Sequence, residues 1–417
     1  MKKALLTSAI LSALSLSAIN AYADDSAANL IDEHILVTAN RSQQDAYLAL
    51  SSNHVVTAEE IKRLHVTSVG DVLASLAGIH VANQGGAGPQ TSVFTRGTES
   101  NHTLILVDGI RVGSATMGTV NLSAISPEQI ERIEVVKGPR AALWGSDAIG
   151  GVIQIFTKRF ANNEGSISLG GGSNGLVNGA FSYGFGNEQH QYTINLSGEQ
   201  ADGFNAYVSD PLNPYDINEP DDDGFSRQSI SLVGTSQLTK EFALDLVGKF
   251  EQSDSEYDAS YPDSPCWDDP TKVCPSFYAN KQQTDNYHVK LAGIYQVDNG
   301  AVELMLGKSR DKGETYGNGT AKADADSIET KRDQVSLVGN YQLLAQTGVT
   351  LGADWYQESV ATNTDKVSWL PGFQSWEVDN RTVTAAFIQA RHQVEQLMLE
   401  VATRYDDIEK LDSEQTY

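Results

Sequence analysis

Residues 202–223 carry seven carboxylates, Asp202, Asp210, Asp216, Glu219, Asp221, Asp222 and Asp223, with no lysine or arginine among them. Residues 251–269 carry seven more, Glu251, Asp254, Glu256, Asp258, Asp263, Asp268 and Asp269, again without a basic residue. Carboxylates so concentrated repel one another unless a cation intervenes, and hard oxygen donors select calcium. The alternative is a solvated acidic rim. Catalysis finds little support: there is no G-x-S-x-G and no H-E-x-x-H, and the eight histidines are scattered. Cys266 and Cys274 are the only cysteines. In an oxidising, exported setting they are expected to close a local disulfide, the alternative being two free thiols in a loop.

The elements around the acidic runs are strands. About eleven follow one another with almost no helix: 164–171, 176–184, 188–199, 225–236, 241–253, 284–297, 301–310, 329–344, 348–358, 380–393 and 396–406. Their connections alternate in length. Long ones at 200–224, 254–283, 311–328 and 359–379 are separated by short ones at 237–240, 298–300 and 345–347. Short turns on one rim and long loops on the other mark an outer-membrane barrel. The hairpin 225–236/241–253 returns both acidic runs to the same rim. Within 242–250, Phe242, Leu244, Leu246 and Phe250 alternate with Ala243, Asp245, Val247 and Lys249. Leu397, Leu399, Val401 and Tyr405 alternate with Met398, Glu400, Ala402 and Arg404 in the same way. A soluble sandwich with one wet face would share that period; strand length and rim asymmetry favour the barrel. An odd strand count, with the chain stopping just after a strand, predicts an incomplete barrel, the N-terminal part of a longer one.

The preceding residues differ. Lys2 and Lys3, an uncharged run from Ala4 to Ile19 and the triplet Ala21-Tyr22-Ala23 form a signal peptide over 1–23, too short to span a bilayer. A polar leader follows over 24–50. Residues 51–160 predict a compact α/β unit, with Thr57 and Glu60 as a capping box, a helix over 67–76 ended by Gly78, a strand 104–107 closed by Asp108-Gly109, and strands at 133–136 and 152–156. Residues 161–417 hold the barrel part. The net charge of −25 lies almost entirely there: residues 1–160 carry 14 acidic and 12 basic groups, −2, which leaves −23 beyond. No basic patch is available for nucleic acid.

Three segments carry a resemblance: EHILVTANR (Glu33–Arg41), SVFTRGTESNHTLILVDGIRV (Ser92–Val112) and IERIEVVKGPRAALWGSDAIGGVIQIFTK (Ile130–Lys158). They resemble the TonB-dependent outer-membrane receptor family, and within it the cobalamin transporters. The resemblance implies a membrane β-barrel, antiparallel and plugged, with an N-terminal α/β plug domain. It implies that Glu33, His34, Ile35, Leu36, Val37, Thr38 and Ala39 are the TonB box, an extended segment captured by strand addition to the periplasmic partner TonB. The plug loops 83–92 and 111–118 align with the family's substrate loops. They supply Asn83, Gln84, Gly85, Gly86, Gln90, Ser92, Arg111, Val112 and Ser114, a mostly uncharged lining suited to a ligand rich in amides. Arg96 and Arg140 are implied to pair with glutamates across plug and wall. PDDDGF and EYDASY match the family's calcium cage and give Asp221, Asp223, Tyr257 and Asp258 as ligands; Asn205 stands where the family has an aspartate. The Cys266–Cys274 pair has no counterpart in the family pattern.

The implied function is TonB-dependent import of a cobalamin-like ligand across the outer membrane, with the barrel in outer-membrane lipid, Ca2+ ordering the outer loops, and no enzymatic activity. Rival readings are a siderophore receptor, which predicts aromatic and arginine-rich loops, and a passive surface barrel or adhesin.

Overall fold

A computed structural model of the chain describes residues 36–37, 41–42, 44–45, 49–83, 85, 88–206, 222–257, 264–266, 269–274, 280–317, 321–362, 378–409 and 414–416. In the leader, β1 (Leu36–Val37) pairs antiparallel with β2 (Gln44–Asp45). The rest of the expected TonB box (Glu33, His34, Ile35, Thr38 and Ala39) and residues 1–23 lie outside the described residues.

The α/β unit begins with β3 (Ser52–Thr57), which ends at a helix start written into the sequence. Thr57 Oγ1 accepts from the Glu60 amide at 3.3 Å, and Glu60 Oε2 accepts from the Thr57 amide at 2.8 Å, so the capping box opens α1 (Ala58–Leu64). The next helix, α2 (Val69–Ala74), is shorter than 67–76, because Ser68 Oγ accepts from the Asp71 amide and sets the first turn there. A hairpin that the sequence reading omits follows, β4 (Ile79–Asn83) and β5 (Thr91–Thr95). Then come β6 (Thr103–Val107) and β7 (Ile110–Arg111), joined by Asp108 and Gly109, both at positive φ. That conformation matches the turn to the twist of the strands it joins. The unit closes with β8 (Ile130–Lys137), the short α3 (Ala141–Trp144) and β9 (Gly151–Thr157). Its sheet runs β3-β8-β9-β6-β7, with β6 parallel to β9. One core packs Val69, Val72 and Leu73 of α2 against Ile133, Val135, Ile153 and Ile155. A second packs Leu104, Leu106, Leu143 and Trp144 against Phe387, a residue of the large sheet.

That sheet comprises β10 (Gly165–Gly171), β11 (Val177–Gly186), β12 (His190–Ala201), β13 (Phe225–Gln237), β14 (Phe242–Glu256), β17 (Lys281–Val297), β18 (Gly300–Tyr316), β19 (Asp326–Leu344), β20 (Thr347–Thr362), β21 (Val378–Val394), β22 (Leu397–Ile408) and the short β23 (Glu414–Thr416). Neighbours in the chain are neighbours in the sheet, all antiparallel. Between β14 and β17 stands a separate ribbon, β15 (Ser264–Cys266) with β16 (Asp269–Cys274). Its register sets Cys274 opposite Ser264 and Cys266 opposite Asp269.

The burial of the two faces settles what period two alone left open. Along β14, Asp245, Val247, Lys249, Glu251, Ser253 and Ser255 are buried against the plug, whereas Phe250 is exposed. On β22, Leu397, Leu399, Val401 and Tyr405 point outward, Val401 at 74% exposure, while Arg404 is fully buried. A soluble sandwich would bury the leucines and wet the arginine. This sheet does the reverse, which is stable only with hydrocarbon outside. Phe185, Tyr295 and Tyr341 are exposed beside the short turns, where an aromatic belt meets the bilayer interface. No helix among the described residues is long and apolar enough to cross a membrane.

Candidate functional site

The two plug loops assigned to substrate lie side by side. Asn83 ends β4, and its side chain folds back into the loop, its Oδ1 accepting from the Gly85 amide at 2.8 Å and its Nδ2 donating to Thr91 Oγ1 at 3.3 Å. Gln90 Nε2 donates to Thr119 Oγ1 at 3.4 Å, which ties this loop to the other. Ser92 is half-buried on β5; Gln84 and Gly86 lie outside the described residues. In the second loop, Ser114 donates its amide to Thr119 O and its Oγ lies 2.8 Å from Thr116 Oγ1, while Val112 packs on the plug core. The Ala115 amide donates to Thr330 Oγ1 of the wall at 3.1 Å.

Arg111 is placed differently from its neighbours. Its guanidinium turns inward, donating to Asp147 Oδ2 at 3.0 Å and to the Trp144 carbonyl. Its own carbonyl accepts from Ser309 Oγ (3.0 Å), Gln334 Nε2 (3.1 Å) and Arg332 Nη1 (3.3 Å), so wall residues grip the root of this loop.

The base of the first acidic run meets the plug. Asp223 Oδ2 accepts from the Ala206 amide at 3.0 Å and Asp222 Oδ1 from the Asn205 amide at 3.2 Å. These bonds bring Asn205 and Asp223, eighteen apart in sequence, to one place. A Cβ built on Gly85 would sit 2.4 Å from Ala206 Cβ, and one on Gly88 2.6 Å from Phe225 Cβ. Glycine is therefore what lets the 83–92 loop touch the acidic one. Tyr257 continues from β14, its amide donating to Asn280 O, and burial pushes its phenol pKa upward. Asp221 and Asp258 lie outside the described residues, and among the described residues no three His, Cys, Asp or Glu side chains gather closely enough to hold a metal ion. The donor chemistry that is present, carboxylate and amide oxygen, fits a hard cation.

The leader is tied to the wall. Immediately after the box, Arg41 donates from Nη1 to Asp354 Oδ1 at 2.8 Å and to Ser336 Oγ at 3.1 Å, and from Nη2 to Asp354 Oδ2 at 2.7 Å. Asn340 Nδ2 donates to its carbonyl. Its guanidinium carbon lies 3.8 Å from the centre of the Trp144 ring. Arg404 also reaches Asp354, at 2.8 Å. Elsewhere the wall holds the plug through Arg227, which donates to Ser123 O and Thr67 O while paired with Glu199, and through Asp245, which pairs with Arg159 at 2.7 Å. The pairing implied for Arg96 and Arg140 is not found: among the described residues neither has a carboxylate within salt-bridge distance, and Arg140 Nη1 donates to the neighbouring Pro139 carbonyl. Arg96 sits at positive φ on an exposed turn, facing water rather than the wall. Sequence reasoning also missed Asp354, Trp144 and Arg404. Arg41 ends the recognised motif, but nothing in the chain marks its partner 313 residues away.

A globular plug seated on the polar face of an antiparallel sheet with an apolar exterior defines a plugged outer-membrane barrel, the class of architecture found in the TonB-dependent receptors to which the chain is similar. Residues 46–152 match the family model described as TonB-dependent Receptor Plug Domain. More particularly, the chain is similar to the vitamin B12 transporter BtuB of Photobacterium profundum, 31% identical over 92% of this chain and 58% of that protein. It is likewise similar to the BtuB of Vibrio vulnificus, 32% identical over 90% and 57%. Among solved structures it shares the fold of the ferric enterobactin receptor PfeA of Pseudomonas aeruginosa (TM-score 0.71, 18% identity, 91% of this chain and 60% of that one). The siderophore receptor PirA of Acinetobacter baumannii shares it too (TM-score 0.70, 18% identity, 91% and 59%). The chain thus spans about three-fifths of the length of these relatives. The proteins named are transporters and receptors, not enzymes.

Proposed function

We propose that the protein to which this chain belongs imports cobalamin across the outer membrane, with TonB engaging Glu33–Ala39 to open the plug. The observation that carries this reading is the contact between Gly85 in the substrate loop and Ala206 beside Asn205, which couples the acidic loop to the surface that would meet ligand. Asn205, Asp221, Asp223, Tyr257 and Asp258 would hold calcium through hard oxygens and so stiffen that loop. Asn83, Gln84, Gly85, Gly86, Gln90, Ser92, Val112 and Ser114 would offer amide and hydroxyl groups to the ligand, with Arg111 holding their loop from below. A Cys266–Cys274 bridge would tie off the outer ribbon. The similarity to proteins named vitamin B12 transporters supports this ligand over an iron chelate, since the siderophore receptors share only the fold at under 20% identity. The test is equilibrium binding of cyanocobalamin to the full-length protein with and without calcium. Tight binding that weakens at least about tenfold in chelator is expected. No binding of cyanocobalamin alongside retained uptake of an iron chelate would overturn the assignment.

A further inference from the structure

We propose that the outward face of β17–β19 holds a seat for the phosphate of an outer-leaflet lipid, built by Arg310 and Lys331 with Tyr287 beside them. The three stand in one row across neighbouring strands: Tyr287 is opposite Arg310, and Arg310 is opposite Lys331. They share the outward face, because each lies an even number of residues from an exposed apolar side chain on its own strand, Val289, Leu306 or Leu337. The row holds more cation than it has partners. Lys308 pairs with Asp333 at 2.9 Å, but Arg310 and Lys331 share one carboxylate, Glu329. Arg310 reaches it through Nε, and among the described residues its two Nη groups have no hydrogen-bond partner. The Lys331 side chain is 50% exposed. One positive charge is thus in local excess on a chain of net charge −25.

The apolar band fixes what the anion is attached to. Below the row, Val289, Leu291, Leu304, Leu306 and Leu337 are exposed on the same face. Arg310 lies two residues past Lys308, where that band ends. This is about 7 Å along the strand and, at a tilt near 45°, about 5 Å along the bilayer normal. The headgroup layer is about 5–8 Å deep on each side of the hydrocarbon, so the row lies at headgroup depth. The long loops place this rim on the outer side. A soluble anion would gain only the charge, which salt screens. A lipid gains twice: its phosphate spans the roughly 5 Å between Arg310 and Lys331, and its chain lies along the leucines. The free Nη edge of Arg310 matches phosphate oxygens with paired N–H donors. Tyr287 adds an aromatic ring and a phenolic hydroxyl at the depth where such rings meet the interface.

Trp355 gives the readout. It faces outward on β20, opposite Val335, which lies four residues below Lys331 on the same face, so a brominated chain hanging from the row quenches it. The full-length protein is reconstituted in phosphatidylcholine vesicles containing a small fraction of dibrominated phosphatidic acid or of dibrominated phosphatidylcholine, whose choline offsets its phosphate. The signal is the fluorescence that Trp355→Phe removes. Phosphatidic acid is expected to half-quench at a mole fraction at least about fivefold lower, the size of one cation's attraction to an anionic lipid. Arg310→Gln with Lys331→Gln should bring the two lipids together. Lys281→Gln, which removes a cation paired with Glu256 from the same rim, should leave the preference intact. Equal quenching by the two lipids in the wild type overturns the inference, as does a preference that survives in the double variant. Inorganic phosphate in excess over the lipid should not abolish the preference; if it does, the row is a soluble-anion site and the lipid seat falls. The wild-type comparison decides even if the double variant does not insert. None of these readouts depends on which ligand is imported.

Discussion

Asp354 accepts from two guanidinium groups, Arg41 and Arg404, in a place water does not reach. Removing one partner of such a cluster leaves buried charge uncompensated, so Asp354→Ala is expected to cost about 3–5 kcal/mol of stability. Chemical denaturation of the full-length protein measures it. Asp108 offers a subtler case. Burial alone would raise its pKa, but the nearby His288 ring, 3.9 Å away, and bonds from the Thr157 amide and hydroxyl at 3.0 and 2.6 Å hold it well below the carboxylate range. The folded value lies below the ordinary 3.8, so its stabilisation is complete above that pH and drains away as pH falls further. Asp108→Asn should therefore destabilise the plug by about 1–3 kcal/mol at neutral pH. The gap from wild type should narrow as unfolding is repeated at progressively lower pH, below about 4.

At the level of elements, the plug and the wall fit by shape as well as charge. Ile110 of β7 packs on Ala292 and Met305, and a Cβ on Gly307 of β18 would come within 2.4 Å of its Cδ1. Gly307→Val forces a fully buried isoleucine to move, a strain of about 1–3 kcal/mol that should lower the melting temperature. Gly248→Ala is the control, since nothing lies within 4 Å of its added methyl. The acidic loops form the second element-level device. On the proposed calcium-bound reading, chelation should leave melting of the barrel strands almost unchanged while loosening residues 202–224, read as faster proteolysis there and cyanocobalamin binding weakened at least about tenfold.

Across the whole molecule the apolar exterior is the governing feature. On β18, Val302, Leu304 and Leu306 face outward below Lys308, which pairs with Asp333 at 2.9 Å where the apolar band ends. Leu304→Arg should destabilise the protein in lipid by about 2–4 kcal/mol, because the charge enters hydrocarbon near mid-depth. Measured by reversible unfolding from vesicles, the penalty should shrink toward zero for substitutions nearer the charged rim, such as Leu337→Arg compared along β19 with Val335→Arg closer to Asp333.

Local signals in the chain were enough for much of this. Strand period, turn length and the Thr57–Glu60 box are short-range properties, so all eleven long strands and the first plug helix were legible, with most edges displaced by only a few residues. The motif residues likewise carried the resemblance that the comparisons bear out over the plug. The hairpin β4–β5 escaped because its strands are five residues each around a glycine-rich loop, too short for a period to show. α3 escaped because four residues hold no helical repeat. The contacts that Arg41, Arg111 and Arg227 make between plug or leader and wall were beyond reach for a stronger reason. Each bond joins plug or leader to wall across a hundred residues or more, and many inward-facing carboxylates and carbonyls were equally eligible on sequence. Only the seating of the plug on the sheet chose among them. Composition and periodicity determined a membrane barrel preceded by a compact α/β unit, and the motif resemblance marked that unit as a stopper; three-dimensional packing decided how the stopper is held, since long-range ion pairs depend on register and depth that no local pattern encodes.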